Sequence, residues 1–415
     1  MFKQRLILDS ILSHLKKKQH TIITGARQTG KTTILNQLFK LLNADNKKTV
    51  LVSFEKEEIL RKINTDPENI FQYISRPKNP LTEGIDTPVF LLIDEIQYAA
   101  NPSNFLKYLY DTYHPNLKII ATGSSSFYID KKFKDSLAGR KKLFILKTLN
   151  FEEFLIFKEK EQLRNELKQI RSSNEYLSLS YNQLMQLFDE YLRYGGYPDV
   201  VLSGSISEKI EVLEEIRNSY IKRDILDSRI ENETAFFKLI ILLASQTGCL
   251  INKNNISKTL GIDITTVEKY LLVLQKCFHI SIIKPFYKNL KKEIIKMPKI
   301  YFNDLGLRNL LVNNFAETEI RTDKGQVLEN YVFLRLNGLY RQEEMKFWRT
   351  ADQKEVDFLV SDSFEKNIAF EVKFNASGIK ASKYKTFKKT YPEFDFQFIE
   401  YKASNYPDTI PVLKL

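Results

Sequence analysis

The sequence predicts an α/β protein: a parallel sheet in the first 150 residues, then helical segments, then a second, smaller α/β segment at the C-terminus. Three observations carry this prediction. Residues 20–24 (HTIIT) read as a short buried strand, and 88–93 (PVFLLI) is an almost wholly apolar run without alternation, the pattern of a strand buried on both faces of a parallel sheet. Between such runs, as in residues 34–42, apolar residues recur at helical spacing. At 415 residues the chain is too long for one hydrophobic core and divides into segments.

The first strand, 20–24, leads into Gly25-Ala26-Arg27-Gln28-Thr29-Gly30-Lys31-Thr32, and a helix follows. This is the pattern GxxxxGK[ST] in its proper strand-to-helix context. The glycines let backbone N–H groups wrap phosphates, Lys31 reaches the β and γ oxygens, and Thr32 supplies a magnesium ligand at the positive end of the helix. The strand 88–93 ends in Asp94 and Glu95. An acidic pair beyond the carboxyl end of a parallel strand is placed to face a ligand; Asp94 is expected in the magnesium shell and Glu95 to polarise the attacking water. A third strand, 118–122, runs into Gly123-Ser124-Ser125-Ser126, where Ser124 is the preferred sensor of the γ-phosphate. Strands at 50–54 and 143–146 complete five. Arg140, just before the last, has two readings: an arginine finger for a neighbouring subunit's nucleotide, or a surface arginine in the basic run Arg140-Lys141-Lys142.

GARQTGKT, LLIDEIQ, ATGSSS, LAGR, the FEEF passage within 143–154, YLRYGGYPDV at 191–200 and YIKRDI at 220–225 together resemble a large prokaryotic family of AAA-type P-loop ATPases. In that family a C-terminal domain of unknown function follows the ATPase module. The resemblance spans almost the whole chain and implies ATP, rather than GTP, with Mg²⁺ as cofactors, and a homo-oligomer. It also implies that residues 151–235, helical in pattern and net acidic, are the lid of the ATPase module.

Residues 236–290 show three amphipathic helices, near 236–245, 254–260 and 264–278, with Gly261 ending the second and Asp263 capping the third, then a strand over 279–285. This order fits a winged helix-turn-helix. The third helix is then the reader, with Thr265, Thr266 and Lys269 exposed, and Lys284, Lys288, Lys291 and Lys292 lining the wing. DNA is the expected partner, with protein docking the alternative.

From residue 322 the order is helix (323–340), three strands (346–349, 355–360, 368–374), a basic helix (378–390) and a last strand (395–400). On a strand, residues i and i+2 share a face, so Glu371 and Lys373 point the same way and a neighbouring strand can bring Asp357 alongside. Two carboxylates holding Mg²⁺ beside a lysine are the parts of metal-assisted phosphodiester hydrolysis, and Glu329 on the preceding helix could complete the shell. Glu355 shares the face of Asp357 and is an alternative ligand. The arrangement resembles the PD-(D/E)XK nuclease superfamily. A solvated sheet face, or a nuclease-derived binding module, accounts for the same residues. The expected organisation is thus an ATPase core (1–150), a helical lid (151–235), a winged helix and linker (236–321) and a nuclease-like domain (322–415).

Composition bounds these readings. The 43% hydrophobic and 27% charged contents belong to a globular chain, and no apolar run approaches the ~18 residues of a membrane span. The N-terminus lacks a signal peptide's apolar region, and two cysteines and four histidines make no disulfide framework or zinc cluster. The protein is therefore expected in the cytoplasm. The net charge of +12 is concentrated in residues 1–150 and 236–290, which has two readings, an anionic partner or a lysine-rich solvated surface.

Overall fold

The computed structural model describes residues 3–123, 137–173, 178–287, 293, 296–361, 366–402, 404 and 406–415, with Tyr220 by its backbone alone. They divide into two compact units, 1–148 with 276–278, and 149–275 with 279–415.

The first unit contains α1 (Ile7–Leu15), β1 (His20–Thr24), α2 (Lys31–Ala44), β2 (Thr49–Ser53), α3 (Glu57–Thr65), β3 (Val89–Asp94), α4 (Pro102–Tyr113), β4 (Leu117–Gly123) and β5 (Lys141–Ile145). The strands form one sheet in the order β2-β3-β4-β1-β5, and every pairing is parallel. The apolar strands are needed because helices cover both faces. Alternate residues separate accordingly: Ile22, Leu91, Ile93 and Ile119 pack with Ile59, Ile63, Leu106 and Leu109, whereas Ile23, Leu92 and Ile120 pack with Leu8, Ile11, Ile34, Leu35 and Leu38.

The second unit opens with α5 (Phe151–Phe157), α6 (Glu161–Ser172), α7 (Tyr181–Tyr194), α8 (Pro198–Leu202) and α9 (Ile206–Glu215). A π-helical segment, Ile216–Ile221, links α9 to α10 (Lys222–Asp227). Next come α11 (Glu233–Ser245), α12 (Lys253–Leu260), α13 (Ile264–Lys276), β6 (Ile280–Pro285), β7 (Lys299–Phe302), α14 (Leu305–Leu311) and α15 (Lys324–Leu339). The chain finishes with β8 (Met345–Arg349), β9 (Glu355–Ser361), β10 (Asn367–Lys373), α16 (Lys385–Thr390), β11 (Asp395–Glu400) and β12 (Thr409–Pro411). The FEEF passage is a helix start: Asn150 and Glu153 form a reciprocal capping box, which satisfies two otherwise unpaired backbone donors.

Two features differ from the sequence expectation. β6, read as the strand of a winged helix, and β7, for which no strand was expected, belong to the seven-stranded sheet β12-β11-β10-β9-β8-β6-β7, because β6 continues parallel to β8 through the pairs Lys284↔Lys346 and Pro285↔Phe347. The basic helix expected over 378–390 is two 3₁₀ turns, Ala376–Gly378 and Ala381–Tyr384, before α16, and Gly378 and Ser382 are residues that favour turns over helix interiors. The helices of 151–194 also share a core with the C-terminal sheet: Phe151, Phe154, Phe188 and Tyr191 lie in one cluster with Tyr331, Val332, Phe358, Phe370 and Ile399.

The glycines of YGGYPDV are explained by this packing. A Cβ at Gly196 would lie 2.1 Å from the Leu149 carbonyl oxygen, and one at Gly306 would lie 2.0 Å from that of Tyr194. Asp304 fastens the joint, accepting from the Gly196 and Leu307 N–H groups at 2.8 and 3.0 Å.

Candidate functional site

The phosphate-binding loop joins β1 to α2, and its backbone has the left-handed turns its sequence permits. Gly25 has φ +152° and Gly30 +91°, and a Cβ on Gly25 would sit 2.0 Å from the Leu146 carbonyl oxygen. The Lys31 ammonium, buried, donates to the carbonyls of Gly25 and Ala26 at 3.1 and 2.7 Å. The Thr29 hydroxyl returns to the Ala26 carbonyl at 2.9 Å. Arg5, given no role at this site by the sequence reading, braces the loop: its guanidinium donates to the Thr29 carbonyl at 2.7 Å and to that of Lys147 at 2.8 Å.

The sheet register sets the acidic pair beside this loop. The Thr32 hydroxyl lies 3.2 and 3.0 Å from the two Asp94 carboxylate oxygens. Ile93 pairs with Ala121, so Asp94 falls next to Thr122, whose hydroxyl donates to Asp94 and accepts from the Glu95 N–H at 3.1 Å. Glu95 has φ +56°, a conformation that costs a glutamate free energy, and Gln97 donates its amide to the Glu95 carboxylate. Thr122 and Gln97 escaped sequence reasoning. The first reads as an ordinary strand residue and the second as a loop polar residue; only the register and the turn join them to the acids.

Thr32 and Asp94 are an all-oxygen pair, the ligand chemistry that Mg²⁺ accepts, so the residues fit the Mg²⁺ and nucleotide that the loop implies. Arg140 is held in a two-pronged contact with Asp111 of α4, at 2.7 and 3.2 Å. Ser124 lies outside the described residues.

In the second unit the structure gathers the remaining acids. Glu329 on α15 and Glu355 and Asp357 on β9 surround a buried lysine, Lys299 of β7, while Glu371 on β10 stands against Lys373 and Tyr384. The Lys299 ammonium is 2.9, 2.7 and 3.3 Å from Glu329, Glu355 and Asp357. Lys373 contacts the Glu371 carboxylate, and Tyr384 donates to the same oxygen at 2.7 Å. Burial, with the Asp357 charge close by, pushes Glu371 above the usual carboxylate range, and burial does the same to Glu329. Lys373 is pushed down by burial, but the Glu371 and Asp357 charges outweigh this and hold it above its ordinary value. The oxygens expected to cage a metal thus converge on an ammonium, at hydrogen-bond rather than Mg–O lengths of ~2.1 Å, and among the described residues no group of three or more His, Cys, Asp or Glu is arranged to hold a metal ion. As it stands this cluster does not fit a divalent cation.

On α13, Thr265 and Lys269 are exposed and Thr266 is half-buried. The Lys269 ammonium reaches the Arg229 carbonyl at 3.3 Å, and the neighbouring Glu268 pairs with Lys253 at 2.7 Å. Lys288, Lys291 and Lys292 lie outside the described residues.

Comparison with known proteins agrees with the first unit's geometry. A family model described as "AAA domain" matches residues 17–155. Two models described as domains of unknown function, DUF8612 and DUF4143, match residues 185–318 and 324–409. An uncharacterized protein of Methanocaldococcus jannaschii is 25% identical, over 98% of this chain and 86% of its own length. One of Haemophilus influenzae is 27% identical over 85% and 83%. Among solved structures, AMPPCP-bound DnaA from Aquifex aeolicus is 14% identical with a TM-score of 0.32, covering 66% of this chain and 88% of its own. The ADP form of the Aeropyrum pernix ORC2 protein is 12% identical with a TM-score of 0.36, covering 75% and 93%. The first unit is a P-loop ATPase domain of the AAA type. No described helix is long and apolar enough to cross a membrane.

Proposed function

We propose that this chain binds and hydrolyses ATP at the phosphate loop and uses the nucleotide cycle to control a DNA-gripping, non-cleaving second unit. The observation that supports it most is the junction of Thr32, Asp94, Thr122 and Glu95 at the carboxyl ends of β3 and β4. Backbone N–H groups of the loop hold the phosphates, and Lys31 exchanges its carbonyl partners for β and γ oxygens. Thr32 and Asp94 would hold Mg²⁺, which would supply charge neutralisation to the transferred phosphoryl group. Glu95, fixed by its left-handed turn and by Gln97, orients a water for in-line attack. Thr122 ties the metal side of the site to the water side, so a change in one is felt by the other. Arg140 would act on a neighbouring subunit's nucleotide only by leaving Asp111, which makes any such role dependent on assembly.

The DNA part of the reading rests on α11, α12 and α13 followed by the antiparallel pair β6 and β7, with Thr265, Thr266 and Lys269 on the side of α13 that a groove or phosphate would meet. Metal-assisted cleavage by Asp357, Glu371 and Lys373 with Glu329 would require the Lys299 ammonium to leave its three carboxylates, which favours gripping over cutting.

The test is incubation of the purified chain with plasmid and with short single- and double-stranded DNA, with Mg²⁺ or Mn²⁺, with and without ATP. Phosphate release lost in Lys31→Ala, with DNA binding that falls steeply with salt and weakens in Lys269→Ala, is the expected result. Phosphate release unchanged in Lys31→Ala would reject the nucleotide site. DNA cleavage that disappears in Asp357→Ala would replace gripping with cutting.

A further inference from the structure

Lys299 begins β7, and residues i and i+2 of a strand share a face, so Lys299 and Tyr301 enter the sheet interior together. Lys299 is 1% exposed. An ammonium has three N–H donors and no acceptor, and here three carboxylates stand within 3.3 Å of it: Glu329 at 2.9 Å, Glu355 at 2.7 Å and Asp357 at 3.3 Å. Two of the donors are taken by hydrogen bonds to Glu329 and Asp357, and Glu355 pairs with the ammonium by charge. The carboxylates are committed in turn. Tyr301 donates to the Glu329 oxygen that faces Lys299, at 2.7 Å, and Arg349 pairs with the second Glu355 oxygen. The Val372 N–H donates to the second Asp357 oxygen at 2.9 Å.

A buried carboxylate without a partner is costly, and three of them on adjoining elements repel one another as well as losing water. Something positive has to sit among them. Metal-assisted hydrolysis would place a divalent cation there, but a cation and an ammonium cannot share one point, since at contact distance in a low-dielectric interior their repulsion is as strong as the attraction each seeks.

We propose that Lys299 is the resident counter-ion of this acidic centre, standing between Glu329, Glu355 and Asp357 in place of a divalent metal, so that the C-terminal sheet keeps its buried acids without any metal bound. Burial alone disfavours the positive charge, but three carboxylates within 3.3 Å, one of them also held by the Tyr301 hydroxyl, favour it. Lys299 thereby decides whether the residues shared with metal-dependent hydrolysis, Asp357, Glu371 and Lys373, have a cation to work with. The inference does not depend on the nucleotide site.

The experiment uses the full chain free of nucleotide. Mn²⁺ binding is followed by electron paramagnetic resonance, and thermal unfolding by circular dichroism, for wild type, Asp357→Asn, Lys299→Met and the double variant Lys299→Met/Glu329→Gln. Wild type is expected to have no Mn²⁺ site that Asp357→Asn removes. Lys299→Met is expected to melt lower and to gain one Mn²⁺ site at least tenfold tighter than any in wild type, with Mn²⁺ raising its melting temperature. The double variant removes one positive and one negative charge together, so it should melt above Lys299→Met; if the single variant does not fold, the double variant and the wild-type titration decide the matter. The proposal is overturned by a wild-type Mn²⁺ site lost in Asp357→Asn, by a folded Lys299→Met that binds Mn²⁺ no better than wild type, or by a double variant no more stable than the single one.

Discussion

Gln97 and Thr122 hold the two acids of the nucleotide site from opposite sides, one at the Glu95 carboxylate and the other at Asp94. Gln97→Ala removes this hold on the Glu95 carboxylate, so it should lower kcat for ATP hydrolysis about tenfold with little change in KM, as loss of a positioning group does. Steady-state phosphate release at saturating and limiting ATP checks this, and an unchanged kcat would remove Gln97 from the site. A second residue-scale prediction concerns Asp323. Burial pushes its carboxyl up, but hydrogen bonds from Arg321 and Arg308, and their charges, outweigh burial and hold it well below the usual range. A carboxylate whose folded pKa is depressed stabilises the fold above its unfolded value near ~3.9, and that stability is lost as pH falls toward the folded value. Asp323→Asn should therefore melt below wild type near neutrality, and the gap should narrow below about pH 4. Thermal unfolding from pH 7 to pH 3 measures it; a gap independent of pH would contradict the assignment.

Elements meet in this protein through backbone approaches that leave no room for a side chain. The end of α7 and the start of α14 touch at Tyr194 and Gly306, where a Cβ added to Gly306 would stand 2.0 Å from the Tyr194 carbonyl oxygen. Gly306→Ala should destabilise the second unit by about 3 kcal/mol or more, because neither backbone can retreat without breaking the Asp304 contacts. Chemical denaturation with a probe in the second unit tests this, and a loss under 1 kcal/mol would show that the joint gives way easily. This scale also marks where sequence reading succeeds and where it stops. The five strands of the first sheet and the phosphate loop were legible because an apolar run and a glycine pattern are local signals. The attachment of β6 and β7 to the C-terminal sheet was not, since pairing between Lys284 and Lys346 depends on residues far apart in the chain. Lys299 was missed for the same reason: one lysine opening an apolar strand carries no motif, and its meaning comes from acids contributed by α15 and β9. Asp357, Glu371 and Lys373 could be singled out from sequence because an acid followed on the next strand by an acid and a lysine two residues apart is a local pattern.

Across the whole molecule, nucleotide chemistry and the buried acidic centre belong to different compact units. Asp357→Ala should leave ATP hydrolysis within about twofold of wild type while it disturbs the second unit, as a substitution confined to one compact unit should. A larger fall in hydrolysis would show that the acidic centre reports to the phosphate loop. The central claim is that Glu95 activates water at a working ATP site. It is tested most directly by measuring ATP affinity and turnover side by side for wild type and Glu95→Gln. The account predicts near-equal affinity with kcat lowered by on the order of 10²-fold or more, since the amide keeps the shape of the carboxylate but cannot take up a proton. A Glu95→Gln protein that turns over ATP as fast as wild type would contradict it.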